Sequence, residues 1–226
     1  HKVRELLHSP GGDSMSWMTT WSGNSYWFSS GGRHAVAYRV HSGVALTTGG
    51  PVGDRSSLDS AVDEFAAYCL GNGWTPCFYS VGEDIAAIAR EHGWSRLQVA
   101  EETVVDLPGL AFKGKKFQDV RTALNRARKD GIEAGWTTFA EAPLSVKEQI
   151  VDISEEWVAD KGLPEMGFTL GGLAELSDPE VRLLPAIGPD GHVHAVTSWM
   201  PVYRDGALVG LTLDFMRRRS DGFPVA

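Results

Sequence analysis

The chain has 226 residues, of which 42% are hydrophobic and 22% charged, and its formal net charge at pH 7 is −8. This composition excludes an intrinsically disordered chain, and the acidic balance argues against a protein that coats nucleic acid over its whole surface. The two cysteines, Cys69 and Cys77, exclude a disulfide scaffold and a four-cysteine zinc site, and their spacing is not that of a redox Cys-x-x-Cys pair.

The sequence contains neither a predicted membrane-spanning segment nor a signal peptide. No apolar run reaches the roughly 18 residues that a spanning helix needs, and the first residues do not resemble a signal peptide. The chain starts without Met and stops on the apolar run Phe223-Pro224-Val225-Ala226. We therefore expect it to be part of a longer protein.

The first half of the chain is predicted to mix strands and helices. Residues 1–14 are predicted to be a linker or tail, because residues 9–14 are rich in Ser, Pro and Gly. Strands are predicted at residues 26–29, 34–40, 44–48, 77–81 and 97–107, and helices at residues 58–70 and 84–91. In the first helix an apolar stripe repeats at helical spacing, formed by Leu58, Val62, Phe65, Ala66 and Cys69. Ser56 or Ser57 is expected to cap it.

The second half is predicted to be two helices followed by an antiparallel meander. The helices are placed at residues 117–129, ended by Gly131, and at residues 145–160, ended by Gly162 and Pro164. Strands are predicted at residues 183–187, 192–202 and 208–216, with turns at Pro189-Asp190-Gly191 and Arg204-Asp205-Gly206. The fold class is therefore α/β (α+β), with units at residues 15–112 and 113–226.

A compact basic stretch, residues 113–129, stands out in this acidic chain. Seven basic residues and one acid give it a net charge of +6, so the remaining residues carry −14. Phe117, Val120, Leu124 and Ala127 repeat at helical spacing and are expected to face the core. The stretch could be a solvated helix face, but clustered cations favour a phosphate ligand. The predicted phosphate-binding residues are Lys115, Lys116, Arg121, Asn125, Arg126, Arg128 and Lys129, together with Arg218.

A second cluster follows an apolar strand near the end of the chain. Asp214 interrupts this strand, and an acid in such a place needs a partner, for which Arg217 is the nearest candidate. The two residues could form a structural ion pair. Alternatively the carboxylate receives an ammonium group and the guanidinium receives a phosphate or a developing oxyanion.

Other motifs predict little chemistry. His192 and His194 share a strand face, but no Cys or carboxylate lies at ligand spacing, so no metal site is predicted. Residues 49–53 are rich in glycine, but Pro51 removes a donor and no lysine follows, so a tight turn is expected.

Many ordered motifs resemble the cytosolic catalytic region of bacterial phosphatidylglycerol lysyltransferases, the multiple-peptide-resistance-factor proteins. The resemblance covers residues 14–226. Its motifs are Ser25-Tyr26-Trp27-Phe28, Gly49-Gly50-Pro51-Val52-Gly53, Gly73-Trp74-Thr75-Pro76, Phe78-Tyr79, Val120-Arg121, Asn125-Arg126-Ala127, Ser154-Glu155-Glu156-Trp157, Met166-Gly167-Phe168-Thr169-Leu170-Gly171, His194-Ala195-Val196-Thr197-Ser198-Trp199 and Leu213-Asp214-Phe215-Met216-Arg217-Arg218.

The resemblance implies two tandem acetyltransferase-like (GNAT) units, the second truncated at its C-terminus. It implies transfer of an aminoacyl group, usually lysine, from aminoacyl-tRNA to a glycerol hydroxyl of phosphatidylglycerol. Asp214 and Arg217 match the Asp-x-x-Arg of the family's active site, and other active-site residues are expected beyond Ala226. The implied partners are the tRNA, the lipid and an N-terminal membrane flippase region. The implied location is the cytoplasmic face of the membrane, with this part itself soluble.

The sequence differs from that of ordinary acetyltransferases in the segment that would bind the acyl donor. Acetyltransferases hold coenzyme A on a glycine-rich loop, and here residues 219–224 take that place but end in Pro224, which cannot donate a backbone hydrogen bond. This favours a tRNA donor, with no cofactor and no metal. The alternatives are alanine as cargo, a tRNA-dependent transferase that extends cell-wall peptides, a coenzyme A acetyltransferase, and a non-catalytic module that binds anionic membranes.

Overall fold

The computed structural model of the protein describes residues 1–161 and 167–223. The chain divides into two compact units, unit 1 with residues 1–101 and 201–212, and unit 2 with residues 102–200 and 213–226. Both units mix helices with a sheet, in agreement with the predicted class. The boundary after residue 101 lies earlier than the predicted one after residue 112.

Unit 1 contains a five-stranded sheet with three helices. Its elements are α1 (Lys2–His8), β1 (Ser25–Phe28), β2 (His34–His41), β3 (Val44–Thr47), β4 (Val52–Gly53), α2 (Leu58–Gly71), β5 (Thr75–Cys77) and α3 (Glu83–Glu91). The strand order is β1-β2-β3-β5, and β4 pairs with β2. All pairs are antiparallel except β3 with β5, which α2 connects as a parallel crossover.

The core of unit 1 forms where α2 packs on the sheet. The whole predicted stripe of α2 is buried, and Phe65 and Cys69 contact Val36, Tyr38 and Ala45 of the sheet. The predicted caps differ, because the Asp54 side chain accepts the Ser56 N–H at 3.0 Å, whereas Ser57 makes no capping bond.

Residues 1–14 are part of unit 1 and not a linker, so this prediction is corrected. Val3 and Leu7 of α1 are buried, and Gly11 forms a β-bridge with Arg204. The helix α1 packs into unit 1 through its apolar side chains. The prediction failed because it rested on the Ser-, Pro- and Gly-rich residues that follow the helix.

The predicted strand at residues 97–107 is wrong. These residues pair with no strand in the described part of the chain, and Leu97 and Leu107 are 83% and 73% exposed. Alternating β-prone residues form a strand only when a neighbouring backbone completes the hydrogen-bond ladder. The preceding strand is also misplaced, because β5 spans Thr75–Cys77 and shares only Cys77 with the strand predicted at residues 77–81.

Unit 2 contains a four-stranded sheet in the order β6-β7-β8-β9. Its elements are α4 (Gln118–Lys129), β6 (Glu133–Ala134), α5 (Leu144–Lys161), β7 (Arg182–Ile187), β8 (Val193–Arg204) and β9 (Ala207–Arg218). The two predicted turns are confirmed, and Asp205 and Gly206 both have positive φ, of 50° and 79°. Residues 201–212 at the tip of the β8–β9 hairpin are grouped with unit 1.

The core of unit 2 forms between α5 and one face of this sheet. Val146, Ile150 and Ile153 of α5 pack with Leu183 of β7 and Phe215 of β9. The predicted end of α5 at Gly162 and Pro164 lies outside the described residues. Within residues 1–161 and 167–223, no helix combines the length and apolar character needed to span a membrane.

Candidate active site

Unit 2 contains a cleft with a volume of about 1120 Å³. Residues from α4, α5 and the sheet surround it, together with the turn that follows β9. The lining residues are Leu124, Ala127, Arg128, Ile132, Ala134, Glu156, Trp157, Leu184, Ala186, Ala195, Val196, Thr197, Met216, Arg217, Arg218, Arg219 and Ser220. Most of the sheet and α4 residues in this set are apolar, and the end of β9 supplies positive charge.

The apolar stripe of α4 is not buried in the core, and its C-terminal part faces this cleft, which corrects the prediction. No residue of α4 is buried, Leu124 is 42% exposed, and Leu124 and Ala127 line the cleft. Helical spacing reports which side chains share a face but not what that face contacts. An exposed apolar face beside an open cleft is suited to bind an apolar ligand.

Arg217 lies at the wall of the cleft with its guanidinium between aromatic rings. The Cζ atom is 3.6 Å from the ring centroid of Trp157 and 4.5 Å from that of Phe215. The residue is only 6% exposed. Stacking on an aromatic face stabilises a guanidinium and restricts its orientation.

The turn after β9 is held by hydrogen bonds to β8. The backbone N–H of Arg219 donates to the His194 carbonyl at 3.0 Å, and the Arg219 Nε donates to the Val193 carbonyl at 3.1 Å. Ser220 donates its hydroxyl to Glu156 Oε1 of α5. These bonds place Arg218, Arg219 and Ser220 on the cleft, a position that the sequence analysis recognised only for Arg218.

The Asp214 side chain contacts the segment between α5 and β7, at Gly171. The Gly171 N–H donates to Asp214 Oδ1 at 2.9 Å, and a Cβ at position 171 would overlap the Asp214 carboxylate, so a larger residue there would displace the carboxylate or the segment. Burial raises the pKa of the Asp214 carboxyl, and nearby Glu175 raises it further. The Gly171 hydrogen bond and the positive charge of Arg217 lower this pKa, but burial prevails.

Asp214 is near the cleft but does not line it. Side chains alternate along a strand, so Asp214 lies on the same face of β9 as Met216 and Arg218, both of which line the cleft. Arg217 shares the opposite face with Phe215 and reaches the cleft at the end of the strand. The Asp-x-x-Arg spacing thus places the two side chains on different faces of one strand.

The structure separates the predicted phosphate-binding residues into groups. Arg128 and Arg218 line the cleft with Arg217. Lys115, Lys116, Asn125, Arg126 and Lys129 are exposed but do not line it. Among these, Lys116 lies over the Phe117 ring at 4.9 Å, and Arg126 over the Phe223 ring at 5.4 Å.

Arg121 has a structural contact that the sequence analysis did not foresee. Its Nη1 donates to the backbone carbonyls of Phe112 and Gly114, at 3.0 and 2.8 Å. This geometry ties α4 to the loop before it, so Arg121 stabilises the loop conformation.

Two histidine clusters have structural roles. The Phe223 N–H donates to His194 Nδ1 at 3.1 Å, so that nitrogen is the acceptor.

In unit 1, Ser57 lies 3.4 Å from His34 Nε2, but this nitrogen is 2.7 Å from the Asp54 carbonyl. Because a carbonyl only accepts, His34 Nε2 carries the proton and cannot activate Ser57 as a nucleophile. No group of three metal-ligating side chains occurs in the part of the chain that the structure describes.

A family model and several similar proteins point to the same protein family. The family model described as "Phosphatidylglycerol lysyltransferase, C-terminal" matches residues 4–225. An uncharacterized protein of Corynebacterium glutamicum is 48% identical over 221 residues, which cover 96% of this chain and 28% of that protein. The lysylphosphatidylglycerol biosynthesis bifunctional protein LysX of Nocardia farcinica is 32% identical, with 97% of this chain and 19% of that protein covered.

The fold is also found among solved structures. The structure of L-PGS from Bacillus licheniformis superimposes with a TM-score of 0.85 and 23% identity, covering 97% of this chain and 66% of that one. The chain spans 28% and 19% of the lengths of the two curated relatives.

Proposed function

Because the chain belongs to the phosphatidylglycerol lysyltransferase C-terminal family, we propose that it transfers lysine from lysyl-tRNA to a glycerol hydroxyl of phosphatidylglycerol. The product is an aminoacylated lipid with a more positive headgroup. Relatives named for lysylphosphatidylglycerol biosynthesis support lysine as the cargo.

The cleft of unit 2 is the observation that carries this proposal. Its apolar lining from α4 and the sheet adjoins Arg128, Arg217, Arg218 and Arg219. A phospholipid combines the same two properties, apolar chains and an anionic phosphate. Guanidinium groups bind phosphate through charge-assisted hydrogen bonds, which supports a lipid headgroup or a tRNA phosphate at this wall.

The reaction is a transesterification. A lipid hydroxyl oxygen attacks the carbonyl carbon of the aminoacyl ester, the new C–O bond forms, and the bond to the tRNA ribose oxygen breaks. The proton of the hydroxyl is delivered to that leaving oxygen. One ester replaces another, so the protein needs mainly to position the two substrates and stabilise the oxyanion.

Two residues are assigned to the chemical step. Asp214 shares a strand face with Met216 and Arg218, which line the cleft, and we assign it to the proton of the attacking hydroxyl. Burial raises the pKa of its carboxyl, which brings the carboxylate closer to the basicity of an efficient general base. Arg217 stabilises the oxyanion or the lipid phosphate, and its aromatic neighbours hold the guanidinium for that purpose.

We also infer that the two units are tandem acetyltransferase-like folds and that the chain acts at the cytoplasmic face of the membrane, next to a flippase region. The division into two compact units, each with helices and its own sheet, and the greater length of the relatives support this inference.

Mass spectrometry of lipids from cells that express the complete gene tests the function, because it reports acceptor and cargo together. We expect lysyl-phosphatidylglycerol, strongly reduced by Asp214→Asn and by Arg217→Ala. Asp205→Asn and Arg204→Ala, on the exposed turn between β8 and β9, are matched controls and should leave the product unchanged. Unchanged product in both site variants would contradict the assignment, and modified cell-wall peptides in place of lipid would contradict the acceptor.

A further inference from the structure

Glu156 is a carboxylate on the wall of the cleft that also carries the arginines. It lies near the C-terminal end of α5 and is the only acidic residue among the described residues that line the cleft. The same lining contains four arginines. In the sequence it stands out only as part of the motif Ser154-Glu155-Glu156-Trp157, with no role attached.

The orientation of Glu156 is set by the turn after β9. Ser220 donates its hydroxyl to Oε1, which links α5 to that turn. A carboxylate accepts about four hydrogen bonds, so one donor leaves it with acceptor capacity towards a ligand. The residue is half-buried, so a charge that binds there is partly desolvated.

We propose that Glu156 binds the side-chain ammonium of the transferred lysine and thereby selects lysine over alanine. This inference rests on the proposed aminoacyl transfer in the same cleft and adds the residue that determines the cargo.

The charges of the cleft give the physical reason. Four guanidinium groups attract phosphate but repel a second cation, so a lysyl side chain needs a local negative charge to enter. An alanyl group has no side-chain charge and gains nothing from Glu156. Removal of the carboxylate should therefore weaken lysine binding and leave alanine binding unchanged.

Calorimetry with amino-acid esters provides a direct test. The probes are L-lysine methyl ester and L-alanine methyl ester, which imitate the reacting end of an aminoacyl-tRNA. Glu156→Gln keeps the size of the side chain and an acceptor for Ser220, and it removes the charge. We expect lysine-ester binding to weaken by roughly tenfold or more, from the loss of a charge-assisted hydrogen bond. Alanine-ester binding should stay within about twofold of the wild type.

The neighbouring residue supplies a matched control. Glu155 has the same side chain, is exposed and does not line the cleft, so Glu155→Gln should bind both esters like the wild type. Glu156→Asp keeps the charge and should retain part of the lysine-ester binding, which separates loss of charge from loss of folding. Equal weakening of both esters by Glu156→Gln, or no weakening, would overturn the inference.

Transfer in cells separates this inference from the proposed function. If wild-type cells make lysyl-phosphatidylglycerol and Glu156→Gln cells make it in the same amount, the role of Glu156 is wrong while the function stands. If wild-type cells make no aminoacylated lipid, the proposed function fails, whatever the esters do. A shift of the product from lysine towards alanine in Glu156→Gln would support both.

Discussion

The guanidinium of Arg217 stacks on the indole of Trp157, with 3.6 Å between Cζ and the ring centroid. The two residues come from β9 and α5, and both line the cleft. A contact at this distance holds the charge in one place and partly compensates for the burial of the arginine. It also makes the indole a support for the proposed anion-binding group.

The first prediction is that the aromatic ring at position 157 affects transfer through Arg217. Trp157→Leu removes a cation–π interaction of about 1–2 kcal/mol that holds the Arg217 guanidinium in one orientation. Restoring that orientation in the transition state then costs up to this amount, so kcat/KM should fall by up to roughly 5–30-fold. Trp157→Phe keeps an aromatic face and should retain most of the activity. Steady-state kinetics over a range of phosphatidylglycerol concentrations checks this result, and equal activity of the Leu and Phe variants would refute it.

The second prediction concerns Asp214→Asn, which should lower kcat by roughly 100-fold or more if the carboxylate is a general base. The same variant should be more stable than the wild type at neutral pH. Burial raises the pKa of Asp214 above its unfolded value, so the folded protein keeps a proton that the unfolded chain has lost. The wild type therefore loses stability as the pH rises through that window.

Melting temperatures measured from acidic to neutral pH check the sign of this effect. Asparagine has no proton to lose, so the advantage of Asp214→Asn should be absent in acid and grow as the pH rises. An advantage that shrinks with rising pH would mean that attraction to Arg217 outweighs burial.

The third prediction concerns the close approach of Gly171 to Asp214. In Gly171→Ala the added Cβ overlaps the Asp214 carboxylate, so the segment or the carboxylate must move. We expect a loss of about 1–3 kcal/mol in the free energy of unfolding, together with reduced transfer. Gly135→Ala is the control, because no atom lies within 4 Å of its added Cβ. Denaturant titration of both variants provides the measurement.

The fourth prediction distinguishes Arg128 from Arg121 in the basic helix. Arg128 lines the cleft, so Arg128→Gln should make tRNA binding less sensitive to salt. The loss of one phosphate contact should reduce the slope of log binding constant against log salt concentration by about 0.7–0.9. Arg121 holds two loop carbonyls, so Arg121→Gln should leave the slope unchanged and cost about 1 kcal/mol of stability. Filter binding at several salt concentrations measures the slope, and the opposite pattern would restore the sequence-based role of Arg121.

Local patterns in the sequence predicted much of the fold correctly. The stripe of α2 is buried as its helical spacing indicates, and the turns at Gly191 and at Asp205-Gly206 take the positive φ that their residue types favour. These features depend on interactions between residues close together in the chain, and such interactions are visible in the sequence. The ordered motifs likewise indicated the family that the model over residues 4–225 matches.

Features that depend on distant residues were missed or misplaced. Residues 97–107 have the composition of a strand but pair with no strand that the structure describes, and the apolar side of α4 faces an open cleft. Arg121 was predicted to bind phosphate like its basic neighbours, but its guanidinium donates to two loop carbonyls that the sequence could not place beside it.

The sequence by itself determined the helices α2 to α5, the hairpin turns, the family, and the pair Asp214 and Arg217 as candidates, because each of these is recorded in short stretches of neighbouring residues. Only the tertiary structure decided the surroundings of that pair. The Gly171 N–H reaches Asp214 from 43 positions away in the chain, and α5 brings Trp157 and Glu156 to the end of β9. Burial and charge at a site are set by atoms that meet only after folding, so spacing along the chain cannot report them.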